Sequence, residues 1–274
     1  MEGLQKHKLV IIGGAEDKKG RKVILKDVCN LIDKEKDELL VVTVASEVQG
    51  LVSNDYKKVF EEIGVKNLRF LNMEFREEAY KEENIKKVKN AKLIFFTGGD
   101  QLRITSLIGG SPIGEELNSS KDKVIVGTSA GASVMSSTMI LSGDDEEAPS
   151  KKTVSMSAGL GLLNGVIIDQ HFSQRGRIGR LISAISENPS TLGIGIDENT
   201  AIIVSRDKKI KAIGEGAVYI IDGKDITYSN VWEEEKSRTF SIFNIKLHLL
   251  NKGDVFDLEK RIPFEEEVIK NEDN

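Results

Sequence analysis

The sequence predicts a doubly wound α/β fold: a mostly parallel sheet covered by helices, with antiparallel strands added towards the carboxyl end. Three observations carry this expectation. Short β-rich runs alternate with longer charged segments of helical period over the first two thirds of the chain. Several of the short runs are apolar at consecutive positions, as in Leu40-Val41-Val42. After about Val154 the strands become short and are separated by tight turns. A strand that is apolar on both faces has to be covered on both, which a parallel sheet between two layers of helices provides.

The expected strands of the first part are residues 8–12, 39–45, 67–71, 92–97 and 123–127. Segments 21–33, 54–63, 82–90 and 104–117 lie between them, each long enough for two or more helical turns. Further on, residues 165–169 read as a strand and 174–186 as a helix, and 193–197, 201–204, 210–213 and 217–221 read as short strands. Asp207-Lys208 and Asp222-Gly223 mark turns among the later strands, which predicts antiparallel hairpins joined to the sheet. No internal repeat and no Pro-, Gly- or Ser-rich linker interrupts the 274 residues. They are read as one domain, 1–274, with an extension from about 230 to 274 that has no readable role and a polar tail, Asn271-Glu272-Asp273-Asn274, expected to fray.

Composition narrows the function classes. Hydrophobic residues make up 39% and charged residues 30%, with 4 prolines, so the chain can bury a core and is not a disordered or low-complexity sequence. Lys plus Arg number 39 against 44 for Asp plus Glu, a net charge of −5, which disfavours broad binding to nucleic acid or anionic lipid. The single cysteine, Cys29, excludes an internal disulfide and fits a reducing compartment. No apolar run approaches the roughly 18 residues needed to cross a bilayer. The apolar stretch at 9–12 is too short for a signal-peptide core and reads as a first strand. The expectation is a cytoplasmic enzyme that acts on neither membrane nor nucleic acid. The acidic segment Gly143-Asp144-Asp145-Glu146-Glu147-Ala148-Pro149 reads as an exposed loop, solvated or placed to attract a cation.

Gly127-Thr128-Ser129-Ala130-Gly131 matches the G-x-S-x-G nucleophile elbow, preceded by the strand 123–127 and followed by an expected helix, 130–138. Such a turn needs small neighbours because strand and helix pass closely, and Gly127, Ala130, Gly131, Ala132 and Ser133 supply them. The Ala130 amide would then face a developing oxyanion. The plain alternative is a Gly/Ser/Ala-rich turn that only packs. Serine needs a base. Of three histidines, His7 sits in a charged amino-terminal segment and His248 between leucines. His171 follows Val166-Ile167-Ile168-Asp169-Gln170 at the carboxyl end of an expected strand, the edge where open α/β sheets bind ligands. Glu198, Asp197 and Asp169 are the candidates to orient its ring. Strand alternation puts Asp197 and Glu198 on opposite faces, so at most one of them reaches the site.

Gly98-Gly99-Asp100-Gln101 forms a glycine turn at the same edge, where the Gly99 amide is a candidate second oxyanion donor. Gly13-Gly14 resembles the start of a phosphate loop but lacks its later glycines and its Gly-Lys-Ser/Thr ending, so no nucleotide site is read there. Arg175, Arg177 and Arg180 crowd the start of the expected helix, whose buried stripe is Ile178, Leu181, Ile182 and Ile185. Cations at a helix amino terminus oppose the macrodipole, which leaves either surface carboxylates or a substrate carboxylate as their partner.

With these residues assembled, the sequence resembles the cyanophycinases, serine peptidases in the same superfamily as the aspartyl dipeptidases. The residues carrying the likeness are Gly98-Gly99-Asp100-Gln101, Gly127-Thr128-Ser129-Ala130-Gly131-Ala132, Asp169-Gln170-His171-Phe172, Arg175-Gly176-Arg177-x-Gly179-Arg180 and Gly193-Ile194-Gly195-Ile196-Asp197-Glu198. It runs from about Val10 to Ile221. The resemblance implies a flavodoxin-like or glutamine-amidotransferase-like sheet with Ser129 as nucleophile, His171 as base and Glu198 as its orienter. It implies that Gln101, Asp169, Gln170, Arg175, Arg177 and Arg180 line the substrate pocket. The implied substrate is cyanophycin, a poly-aspartate bearing arginine on each β-carboxyl, cleaved to β-Asp-Arg dipeptides by a homodimer without metal or cofactor. On such a polymer the three arginines would take aspartyl carboxylates, and Asp169 or the acidic loop would take guanidinium groups. Thr128, where aspartyl dipeptidases are associated with tryptophan, leans towards cyanophycinase. The alternatives are an aspartyl dipeptidase-like or isoaspartyl peptidase acting on a shorter β-aspartyl peptide, and a noncatalytic binding protein on the same fold.

Overall fold

A computed structural model describes residues 5–143, 149, 154–233 and 239–264. Most of the acidic loop, at 144–148, and the tail 271–274 lie outside the described residues. In chain order the elements of the first half are β1 (Lys8–Ile12), α1 (Val23–Cys29), β2 (Glu38–Val42), α2 (Gln49–Ile63), β3 (Asn67–Leu71), α3 (Glu82–Asn90), β4 (Leu93–Phe96), α4 (Gln101–Ile108), α5 (Pro112–Ser119), β5 (Val124–Thr128) and α6 (Ala130–Ser133). Then come β6 (Thr138–Gly143), β7 (Val154–Ala158), β8 (Val166–Gln170), α7 (Ile178–Glu187), β9 (Leu192–Ile196), β10 (Thr200–Val204), β11 (Lys209–Gly214) and β12 (Val218–Asp222). The short strands β13 (Tyr228–Ser229), β14 (Ile242–Phe243), β15 (Lys246–Leu250), β16 (Val255–Asp257) and β17 (Ile262–Phe264) complete the order.

Nine strands form the main sheet in the order β17-β16-β11-β10-β1-β5-β4-β2-β3. Its β1-β5-β4-β2-β3 half is parallel throughout. From β10 outward each pairing is antiparallel. The fold is therefore α/β with carboxyl-terminal antiparallel additions, and the double burial of its central strands shows in β1. Leu9 and Ile11 face one core cluster while Val10 and Ile12 face another. The second cluster is closed by Ile24, Leu25 and Val28 of α1 and by Tyr56, Val59 and Phe60 of α2. Cys29 is buried there too, and burial pushes its thiol up to about 12, which keeps it protonated and inert.

The expectation that the later strands all join one sheet is corrected by the structure. β8, β9, β12 and β15 make a separate sheet in the order β15-β12-β9-β8. The reason is competition for an edge: β10 returns antiparallel onto β1 and occupies the place beside it, so β8 pairs with β9 instead. Hydropathy marks 166–170 as a buried strand but does not name its neighbour. The second sheet lies on the Leu9/Ile11 face, where Ile168, Ile194, Ile196, Val218 and Ile220 share a cluster with the main sheet. Leu181, Ala184 and Ile185 of α7 cover its other side.

Local departures have local causes. The expected helix 104–117 is two helices, because Gly109-Gly110 breaks it, with Gly110 at φ 63°, and Ser111 caps α5 by accepting from the Gly114 amide ahead of Pro112. The expected helix 130–138 stops at Ser133, and Thr138 opens the β6–β7 ribbon, which was not read from the sequence.

Gly195 of β9 leaves room for the Phe172 ring of the segment after β8. A Cβ there would lie 2.6 Å from the Phe172 ring. Gly195→Ala should therefore destabilise the fold by about 1–3 kcal/mol through overpacking, read as a lower urea midpoint at unchanged m-value.

Candidate active site

Ser129 sits just past the carboxyl end of β5 with φ 53° and ψ −115°, a left-handed backbone that a non-glycine residue holds at a cost of about 1–3 kcal/mol. Three bonds enforce it. The Ser129 amide donates to the Ile12 carbonyl at 3.1 Å, and the Ala132 and Ser133 amides donate to the Ser129 carbonyl at 2.9 and 3.1 Å. The surrounding glycines allow the approach: a Cβ on Gly127 would stand 2.1 Å from the Gly131 carbonyl oxygen, and one on Gly131 2.4 Å from that of Phe96.

His171 follows β8 in the second sheet, so it reaches Ser129 across two sheets and not along the rim of one. Its own backbone is left-handed, φ 49°, and its amide donates to the Gly13 carbonyl at 2.8 Å. Gly14, at φ +99°, lets the imidazole approach, since a Cβ there would meet the ring at 2.4 Å. His171 Nε2 lies 3.0 Å from Ser129 Oγ, and Nδ1 lies 2.6 Å from Glu198 Oε1. A carboxylate acceptor at Nδ1 makes that nitrogen the N–H donor and leaves Nε2 to accept from the serine hydroxyl. Burial pulls the His171 pKa below 6.5, outweighing the Glu198 bond that raises it; Arg175 and Arg177 lower it further. This arrangement can deprotonate a serine hydroxyl and store the proton on a ring whose cationic form is stabilised by Glu198.

Of the three acids weighed for this place, Glu198 alone meets the ring. Asp197 is buried, accepting from the Ser173 and Ala217 amides at 2.9 and 3.1 Å. It thereby ties the segment after His171 to the start of β12. Gln174 Oε1 accepts from the Glu198 amide at 3.0 Å, and the Asn199 amide donates to the Gly14 carbonyl at 2.9 Å. None of these braces was singled out as such from the sequence. The available signal was the paired glycines after β1, which serve as a cradle for His171. His7 and His248 stand elsewhere: His7 meets the Leu117 carbonyl at 2.9 Å, and the His248 ring lies 5.5 Å from that of Phe256.

The Gly98-Gly99 turn flanks the serine, with a Cβ on Gly98 falling 3.3 Å from Ser129 Cβ. Among the described residues, neither the Gly99 nor the Ala130 amide donates to a backbone carbonyl in the loops and turns. Gln101 caps this side, donating to the Ile140 and Leu141 carbonyls at 3.1 and 2.9 Å.

The charged residues require a correction. Asp169, Arg177 and Arg180 are brought together, but they are turned on one another. Arg180 Nε donates to Asp169 Oδ2 at 2.7 Å, and its Nη2 donates to Oδ1. Arg177 Nη1 donates to the Gln170 carbonyl at 2.5 Å and to Gln170 Oε1 at 2.8 Å, with Asp169 Oδ1 at 3.4 Å. Gln170 Nε2 reaches Ser133 Oγ at 3.3 Å, beneath the elbow. All four are buried. The expected division, arginines on substrate carboxylates and Asp169 on guanidinium groups, gives way to an internal network, because a buried carboxylate is satisfied by the nearest guanidinium. Arg175 is different: it lies exposed in the turn Ser173–Arg175, directly past His171.

Among the described residues no three His, Cys, Asp or Glu side chains are grouped to hold a metal ion, and no helix is long and apolar enough to cross a membrane.

Comparison with known proteins adds to this geometry. Peptidase family S51 matches the chain over residues 9–213. The chain is 37% identical over 253 residues to a cyanophycinase of Synechococcus elongatus, covering 91% of this chain and 79% of that one. It is 35% identical over 258 residues to a cyanophycinase of Geminocystis herdmanii, covering 93% and 95%. A solved peptidase from an acI-B1 Actinobacterium shares the fold, with a TM-score of 0.66 at 20% identity over 93% of this chain and 98% of that one. The chain belongs to peptidase family S51 and is a hydrolase. Within that family it is a peptidase of the cyanophycinase type.

Two outcomes follow from the site. If His171 serves as the base it must be neutral to accept a proton, and since burial lowers its pKa, kcat/KM should hold at pH values below 6.5 and fall only in more acidic solution. An acid limb above 6.5 would contradict this. Arg180→Ala, which strips Asp169 of its bidentate partner, should lower unfolding free energy by about 3–5 kcal/mol in a denaturant titration. An unchanged stability would show that the pair is not buried as described.

Proposed function

We propose that the chain is a serine-type exopeptidase that hydrolyses cyanophycin to β-Asp-Arg dipeptides. The observation that carries the reading is the line of contacts from Ser129 Oγ to His171 Nε2 at 3.0 Å and from His171 Nδ1 to Glu198 Oε1 at 2.6 Å. Ser129 Oγ attacks the scissile carbonyl while His171 Nε2 takes its proton. The Gly99 and Ala130 amides receive the oxyanion, which collapses to re-form the carbonyl and break the scissile C–N bond as His171 protonates the leaving amine, leaving the acyl group on Ser129 Oγ. Water, deprotonated by the same ring, then attacks the acyl-enzyme and frees the serine. The Glu198 carboxylate keeps the ring in the tautomer this sequence needs.

Substrate choice rests on the cyanophycinase relatives and on the site's charges. Arg175, exposed next to His171, is assigned to a substrate carboxylate. Gln101, Asp169, Gln170, Arg177 and Arg180 are assigned to the walls and floor that shape the pocket, the buried ones acting through one another.

The test uses purified protein with cyanophycin particles, Asp-X dipeptides and a fluorophosphonate probe. Wild-type protein should release β-Asp-Arg from the polymer and take the probe. Ser129→Ala should lose the label and about 10^4-fold or more of kcat/KM. Turnover of Asp-X dipeptides without release from the polymer would replace the substrate assignment with a dipeptidase, and absence of labelling in wild type would indicate a binding protein.

A further inference from the structure

Glu16 is 4% exposed and has no part in the chemistry assigned above, yet it lies against the nucleophile's own strand. Its Oε2 accepts from Thr128 Oγ1 at 2.5 Å and its Oε1 from the Tyr56 hydroxyl at 2.6 Å. Lys18 Nζ stands 3.4 Å from Oε1 and 4.3 Å from the Tyr56 ring centroid. Tyr56 itself is fixed in the core, its ring 5.0 Å from Phe95 and 5.8 Å from Phe60. Burial, with Glu16 beside it, raises the Tyr56 hydroxyl well above 10, so it remains a donor. A carboxylate removed from water is destabilising unless its oxygens are occupied, and here two hydroxyls and an ammonium occupy them. The partner that matters is Thr128, which directly precedes Ser129 and pairs in register with Ile12 of β1.

We propose that Glu16 is a positioning residue for the nucleophile. By holding the Thr128 hydroxyl it pins the last residue of β5 to the β1 loop and fixes the backbone from which Ser129 turns. The aim of Ser129 Oγ at His171, and of the following Ala130 amide at the oxyanion, depends on that fixed turn. The inference rests on Ser129 being the nucleophile.

The experiment compares Glu16→Ala, Glu16→Gln, Thr128→Val, Thr128→Ser and the Glu16→Ala/Thr128→Val double variant with wild type and Ser129→Ala. Cyanophycin kinetics and the rate of fluorophosphonate labelling are read for each, with a thermal melt to establish folding. Glu16→Ala and Thr128→Val should each lower kcat and the labelling rate about 10- to 100-fold, the scale of a misaimed reacting group, with KM held within about twofold. The double variant should be no slower than the slower single, because both remove one bond. Glu16→Gln and Thr128→Ser, which keep a hydrogen bond, should restore most of the rate. Should Glu16→Ala not fold, the near-isosteric Thr128→Val against Thr128→Ser decides alone. Wild-type kcat in Thr128→Val, losses that multiply in the double variant, or an effect confined to KM would overturn the proposal. Labelling retained by Ser129→Ala would remove the nucleophile assignment and this inference together. Its loss in Ser129→Ala beside unaltered kcat in Thr128→Val would remove this inference alone.

Discussion

The turn that follows β1 ties both sheets to the candidate site through backbone hydrogen bonds. The Ile12 carbonyl receives the Ser129 amide, the Gly13 carbonyl receives the His171 amide, and the Gly14 carbonyl receives the Asn199 amide. Each bond contributes only about 0.5–1.5 kcal/mol net. The attachment energy comes from elsewhere: a buried Ile or Leu is worth about 1.5–3 kcal/mol, and Ile168, Ile194, Ile196, Val218 and Ile220 are all packed on the main-sheet face. Burial thus brings the sheets together, while the turn sets where they stop. Apolar packing tolerates small slides, but three backbone bonds to successive carbonyls do not, and a serine–imidazole contact is productive only within a few tenths of an ångström.

How far this could be read from the sequence depended on whether the signal was local. The parallel strands were legible because double burial leaves runs such as Leu40-Val41-Val42, and the elbow was legible because its small residues are contiguous. β8 was located to within a residue, but its pairing was not, since that depends on β10 having taken the edge beside β1. The β6–β7 ribbon is not legible because residues 130–138 begin as a helix, and past Ser133 the carbonyls of Val134 to Ser137 accept instead from amides at 159–163, far along the chain. Gly13-Gly14 is visible as a glycine pair that does not fit a phosphate loop. Its use as a space for an imidazole 157 positions further on leaves no local trace.

The charged cluster illustrates the same limit. Asp169, Arg177 and Arg180 are separated by turns of chain that a one-dimensional reading treats as independent, and each alone suits a charged polymer. Folding places Asp169 at 1% exposure beside both guanidinium groups. An isolated charge at that depth is strongly disfavoured, so the internal pair forms first, and an external ligand would have to displace it. Arg175, four residues past His171, escapes this because it lies in an exposed turn.

Burial also resolves an apparent conflict in the His171–Glu198 pair. A carboxylate 2.6 Å from an imidazole would be expected to make the ring more basic, yet the net effect at His171 is the opposite. The exposures explain it: the His171 side chain is 11% accessible and that of Glu198 is 37%. The ring is taken out of water, which penalises its cation directly, while water at the carboxylate screens the attraction that would compensate. Arg175 and Arg177 add repulsion of the same sign. The acid is thus better placed to choose which nitrogen carries the proton than to raise basicity, and the ring is kept neutral, as the proposed acceptor of the serine proton must be.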